Sequence, residues 1–300
     1  MKLRKFLAFT LMATTALNFI ACDDDDDDDN SETEQINTFL QSKTKVQELS
    51  FKTDDEQYEI SAYANNNFHV GYNEIFFVAQ NTNGEYIKDF SISNIAPLMH
   101  MVKMDMYHST PTSGTAENFD NQPEALKRAW VSFIMASSKE VGSWYISYDA
   151  TVLGKTSKLE KAEFETISAI DGQRWVQSFK VDNKTYFASL VNPSAWEEGI
   201  NTINAYVSVQ SDPRTNPYLL ASEKFTIEID PRMPDMGNHT SPDNKELTPN
   251  DNGLYSGTIN LTMTGLWRIH FTVKDAEGKI VAGGDDQNDG LSSLYWDVTL

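Results

Sequence analysis

Cysteine is nearly absent. The single one, Cys22, lies close to the start of the chain, so no intramolecular disulfide, cysteine-rich zinc site or iron–sulfur cluster can form. Positive charge is scarce as well: Lys and Arg number 24 against 44 Asp and Glu, a formal charge of −20. Nucleic-acid phosphates repel such a polyanion, which excludes nucleic-acid binding as a leading function. No His-Glu-x-x-His, Gly-x-Ser-x-Gly or phosphate-cradling glycine loop occurs, and the sequence reads as that of a non-enzyme. Sustained helical periodicity is rare, with Glu117 to Arg128 the one stretch suited to a short helix. What is present is 300 residues that are 40% apolar and 11% aromatic, enough for one large or two mid-sized cores. Ten methionines and five histidines complete the set of soft side chains.

Residues 1–21 have the form of a secretory signal. Lys2, Arg4 and Lys5 precede an uncharged apolar stretch from Phe6 to Ile20, shorter than the roughly 20 residues a membrane span needs. Ala21-Cys22 at its end resembles the bacterial lipobox, in which the cysteine is diacylated and becomes the new N-terminus. Asp23 to Asp29 follow directly. Like charges at that density are expected to stay solvated and extended, making residues 22–45 a disordered acidic tether. The run also resembles the surface-export signal of Bacteroidetes lipoproteins. Those resemblances imply an outer-membrane lipoprotein held by Cys22, facing the cell surface.

Beyond residue 45 the chain alternates short runs rich in Val, Ile, Phe, Tyr and Thr with Asn, Gly and Pro clusters. Ile75 to Ala79, Trp130 to Ile134, Trp144 to Tyr148 and Trp267 to Val273 are typical, with turn signals at Asn83-Gly84 and Asn252-Gly253. This predicts an all-β fold of two tandem immunoglobulin-like β-sandwiches. Internal similarity supports the division. Tyr58 precedes Gly71-Tyr72-Asn73 by the interval at which Tyr186 precedes Gly199-Ile200-Asn201, and both landmarks repeat after 128 positions. Met135 and Met263 share that offset; His108 and His239, and Trp144 and Trp267, follow in order with a small drift. The expected domains are 46–153 and 168–300, with Lys155-Thr156-Ser157-Lys158 as linker and the two tryptophans in equivalent core positions.

The second half carries Met233-Pro234-Asp235-Met236-Gly237-Asn238-His239, then Gly253-Leu254-Tyr255-Ser256-Gly257, then Met263-Thr264-Gly265-Leu266-Trp267. This combination resembles the YtkA-like/FixH-like domain over residues 180–275, and the first half resembles it more weakly over 52–152. The resemblance implies an exported or membrane-anchored immunoglobulin-like domain associated with copper handling and oxidase assembly.

The residue chemistry agrees with that implication. A thioether is soft, uncharged and never needs to lose a proton, so it suits Cu(I), and imidazole suits both copper states. Ligands of this kind also persist in oxidising compartments where a thiolate pair would not. Met233, Met236 and His239 form one candidate site, on a segment that Pro231 and Pro234 make irregular. Met99, His100, Met101, Met104, Met106 and His108 form a denser one. Copper as Cu(I) is the expected cofactor, and a protein partner in copper transfer the expected partner. Competing roles are plainer: methionines fill cores, which is the expectation for Met135 and Met263, and His108 and His239 can fix the Ser/Thr-Pro turns beside them. His69 and His270 stand alone. Gly283 to Gly290 is acidic and glycine-rich but lacks EF-hand spacing, and reads as a turn between the last strands. The alternative function is an interaction module presenting loops to a protein or a surface glycan.

Overall fold

The computed structural model describes residues 26–119, 121–191, 196–284 and 290–300. Cys22, the signal segment and Asp23 to Asp25 therefore lie outside the described residues, as does the acidic part of the 283–290 turn.

The first sandwich contains β1 (Thr44–Lys52), β2 (Tyr58–Ala64), β3 (Gly71–Asn81), β4 (Phe90–Met101), β5 (Met106–His108), β6 (Lys127–Phe133), β7 (Gly142–Val152) and β8 (Lys155–Phe164). Its two antiparallel sheets run β1-β2-β3-β6 and β5-β4-β7-β8. With β2, β3 and β6 as strands A, B and E, and β5, β4, β7 and β8 as C′, C, F and G, this is the immunoglobulin order. Strand β7 shows how the sequence produces it: Trp144, Ile146, Tyr148, Ala150 and Val152 point inward and every intervening side chain stays half exposed. The Tyr148 hydroxyl crosses the core to donate to the Leu49 carbonyl at 2.6 Å, tying the sheets together. Burial raises its pKa, so it stays a donor.

The second sandwich contains β9 (Val176–Val181), β10 (Lys184–Val191), β11 (Gly199–Val209), β12 (Thr226–Met233), β13 (His239–Thr240), β14 (Lys245–Pro249), β15 (Leu254–Leu261), β16 (Leu266–Lys274), β17 (Ile280–Ala282) and β18 (Tyr295–Thr299). One sheet runs β9-β10-β11-β15-β14; β12, β13, β16, β17 and β18 form the other, joined to the first by the single Ile227–Leu247 pairing. The order again is immunoglobulin-like, with β14 as an added D strand. All-β architecture in two tandem sandwiches is what the strand patterning predicts.

The duplication reaches individual hydrogen bonds. The Asn73 side chain accepts from the His69 amide at 3.0 Å and donates to the His69 and Gly71 carbonyls at 2.7 and 2.8 Å. Asn201 repeats this with the Glu197 amide and the Glu197 and Gly199 carbonyls at 3.0, 2.7 and 2.9 Å. The Trp144 indole donates to the Met135 carbonyl at 2.9 Å, and the Trp267 indole to the Met263 carbonyl at the same distance. Both rings are wholly buried.

Three expectations are corrected. Residues Asp26–Gln41 form a helix, α1, so the segment after the aspartates is not an extended tether. Ile36, Phe39 and Leu40 fall at helical spacing and lie on Phe76 and Val78 of the outer side of β3 and on Leu126 just before β6. This also explains the unbroken apolar run Ile75 to Ala79: Ile75, Phe77 and Ala79 face the sandwich core, and Phe76 and Val78 face α1. Lys155 to Lys158 is no linker but the start of β8. Ser157 is buried there and its hydroxyl accepts from the Asp54 amide at 3.0 Å, so the first domain runs on to Phe164. Glu117 to Arg128 is no helix, since its two ends pair across a bridge with reciprocal backbone hydrogen bonds of 2.9 and 2.8 Å, and Pro123 lies between them.

The sandwiches meet through a stack of Trp130 on Tyr206, centroids 4.6 Å apart, with Tyr72 beside it. Backbone bonds extend the junction: the Ser109 amide donates to the Arg214 carbonyl at 2.7 Å, and Thr112 to Tyr218 at 3.1 Å. Residues 109–112, immediately after β5, are thus held from the second domain.

Candidate metal centre

In each sandwich the C strand turns back into a short C′ strand, and the Met/His segment lies on that hairpin. Register sorts the side chains. In the first domain Met99 pairs with His108, His100 with Tyr107 and Met101 with Met106. Directly opposed residues share a face and successive pairs alternate. Met99, Met101, Met106 and His108 therefore lie on the inward face, and His100 and Tyr107 on the outward one.

His100 is accounted for on that outer face. Its ring stacks on Tyr107, centroids 4.4 Å apart and 7° from parallel, and its Nε2 lies 3.1 Å from Asp105 Oδ1. Met104 occupies the hairpin tip and is 55% exposed, and Met106 is 46% exposed. The six-residue cluster does not converge as a unit. Met99 is wholly buried and Met101 packs against the same core.

His108 Nδ1 lies 2.9 Å from the Ser109 carbonyl, which can only accept, so Nδ1 carries the proton. Nε2 is then the bare nitrogen, and it faces Met135 Sδ at 3.3 Å. Burial is the main cause of a lowered pKa for this imidazole, and the Arg214 charge acts the same way, which favours the neutral ring. The ring sits edge-on to Trp144, centroids 5.5 Å apart. So His108 does fix its turn through Nδ1, and Met135 does pack on the core, yet each also presents a lone pair to the other. Sequence reasoning placed Met135 in the core alone; 27 residues separate it from His108, and no local motif joins them.

The second hairpin repeats the frame with different contents. Met233 pairs with His239 across β12 and β13, and Met233 is buried. Met236 stands on the short 3₁₀ turn Pro234–Met236 and is 54% exposed, with left-handed Gly237 after it. His239 is exposed, its ring 6.4 Å from that of Trp267. Of the three expected ligands, the structure brings Met233 and His239 opposite each other and leaves Met236 at the apex.

Among the described residues no three His, Cys, Asp or Glu side chains gather as a metal group, and no helix is long and apolar enough to cross a membrane. A cleft of about 510 Å³ lies away from the hairpins, bordered by Asn65, Asn66, Asn67, His69, Glu74 and Trp175. His69 there places Nδ1 3.0 Å from the Val70 carbonyl, and burial lowers its pKa.

No family model matches this chain, and no curated protein matches it. Among solved structures it is similar to the adhesin FdeC of Escherichia coli, at 11% identity and a TM-score of 0.24, over 83% of this chain and 65% of that one. It is also similar to a DUF4785 family protein of Legionella pneumophila, at 8% identity and a TM-score of 0.24, over 79% of this chain and 56% of that one. The chain thus spans less than two thirds of either. Likenesses of this strength carry no argument, and the architecture rests on the strand order itself.

Proposed function

We propose that this protein is an outer-membrane lipoprotein that handles copper, binding Cu(I) through the Met/His hairpins of its two immunoglobulin-like domains and passing it to a protein partner. One observation supports this above the rest: a buried methionine stands directly opposite a histidine at the same strand junction, beside an equivalent tryptophan, in both copies. A core needs a hydrophobe at the methionine position, and the turn bond of His108 uses only Nδ1, leaving Nε2 to face sulfur. The residues present, thioether and imidazole without thiolate, suit Cu(I) better than Zn(II), which rarely takes thioether. The motif resemblance to YtkA-like domains points the same way.

A competition titration with Cu(I) on the full chain carrying Cys22→Ser, which removes the competing thiol, tests the reading. The expected result is at most one ion per domain, with affinity tighter than about micromolar, equivalent to roughly 8 kcal/mol. His239→Ala should weaken the second site, and combined replacement of Met99, Met101 and Met104 the first. Affinity weaker than micromolar at both, or zinc binding unaffected by these changes, would overturn it. Anchorage is a separate matter, supported by the lipobox-like Ala21-Cys22 and the charged start of the chain. Cys22→Ala should move the protein out of the membrane fraction of cells, and unchanged fractionation would refute the lipid anchor.

A further inference from the structure

The two hairpins are alike in backbone and unlike in chemistry, and the difference centres on a residue outside both motifs. His108 spends Nδ1 on the Ser109 carbonyl, which turns Nε2 toward the core. There Nε2 and Met135 Sδ stand 3.3 Å apart. An imidazole nitrogen and a thioether at that separation can bind one soft ion together, and Met99 lies directly across the strand pair from His108. We infer that His108 Nε2 and Met135 Sδ form the primary seat for a soft monovalent ion in the first sandwich, with the Met99 thioether as third ligand. The inference rests on the copper reading above and adds to it a ligand, Met135, and an inequality between the domains.

The separation restricts the coordination. With bonds of about 2.0 Å to nitrogen and about 2.3 Å to sulfur, a 3.3 Å gap closes an angle of about 100° at the ion. That is too narrow for a linear two-coordinate site and fits a three- or four-coordinate one, so further sulfur is required. Register supplies it: Met99 is the direct cross-strand partner of His108 on the inward face. Met101 and Met106 are the next pair on that face, one packed on the core and the other 46% exposed. They form a line of thioethers from solvent to the buried seat, suited to an ion that enters by ligand exchange.

The seat is also rigid before any ion arrives. Trp144 stands against the His108 ring and holds the Met135 carbonyl. Residue 109 is bound on one side by its hydroxyl to the Pro97 carbonyl at 2.6 Å and on the other by its amide to Arg214 of the second domain. Preorganisation of this kind lowers the ordering cost of binding. The second domain lacks the arrangement: among the described residues no sulfur lies within hydrogen-bonding distance of the His239 imidazole, and His239 is exposed. The first domain is therefore the tight site and the second the weak one.

The test uses the full chain carrying Cys22→Ser, with Cu(I) in competition titrations and Ag(I) as a redox-inert probe in NMR of methionine methyl groups. Met135→Leu keeps volume and packing and deletes only the sulfur. It should weaken the tighter of two Cu(I) sites by about 100-fold, a loss of about 2.8 kcal/mol at 1.4 kcal/mol per tenfold, and leave the weaker site and the melting temperature unchanged. Ag(I) at one equivalent should shift the Met99 and Met135 methyl signals before those of Met233 and Met236. If Met135→Leu binds as tightly as the parent, or if Met233 shifts first, the inference fails while the copper reading stands. If the parent binds neither ion, both fall together.

Discussion

Trp144→Ala should destabilise the first sandwich by about 3–5 kcal/mol, the usual cost of truncating a large buried aromatic. The ring is wholly buried, lies 5.1 Å from Phe133 and 5.5 Å from His108 between centroids, and donates to the Met135 carbonyl at 2.9 Å. Alanine would leave a void among rigid neighbours and an unpaired carbonyl, and both effects act in the same direction. Urea unfolding followed by the remaining tryptophans measures it. With a slope near 2 kcal/mol per molar, the first transition should move down by roughly 1.5–2.5 M. Trp144→Phe, which restores most of the ring but not the N–H, should recover more than half of the loss. Trp267→Ala should cost a similar amount in the second sandwich, because its burial and its bond to Met263 match. A loss below about 1 kcal/mol for either, smaller than most core truncations, would refute the assignment of that ring as a core pin.

The second large effect is a glycine contrast between the copies. Gly142 has φ +138, and a Cβ there would stand 1.8 Å from the His100 carbonyl oxygen, a backbone atom with no freedom to turn aside. Gly265, its counterpart, has φ +126, but its Cβ would meet only the Met233 terminal methyl at 3.1 Å, the end of a flexible side chain. Gly142→Ala should thus break the pairing of β7 with the end of β4 and lower the melting temperature of the first sandwich by at least 10 °C, roughly 2 kcal/mol or more for a domain of this size. Gly265→Ala should cost about 1–2 kcal/mol of backbone strain while displacing Met233. Gly278→Ala is the control: φ is +79 and nothing lies within 4 Å, so it reports left-handed strain alone. Equal losses at Gly142 and Gly278 would show that the His100 carbonyl gives way.

Much of the fold can be read from local patterning because local patterning causes it. Alternation along β7 specifies which side chains enter the core, and repeated Gly-x-Asn and Met…Gly-x-Trp landmarks mark the duplication, since each makes the same short-range hydrogen bonds wherever it occurs. The helix α1 escaped that reading. The aspartates dominate the composition of residues 22–45 and point to a solvated chain, whereas Ile36, Phe39 and Leu40 gain their apolar partner only when the outer side of β3 is in place. Residues 155–158 escaped it for a similar reason: Lys, Thr, Ser and Lys have the composition of a linker, and their strand pairing is a property of β7 beside them.

By itself, then, the sequence determined the all-β class, the two copies, the wholly buried tryptophans and the presence of a Met/His segment in each copy, all consequences of residue type and short-range order. Only the tertiary structure decided which soft side chains meet. Strand register turns His100 outward and Met99 inward, and the closing of one sheet over the other brings Met135 to His108 across 27 positions. Register and sheet packing are long-range choices, made by the whole core rather than by the residues they juxtapose.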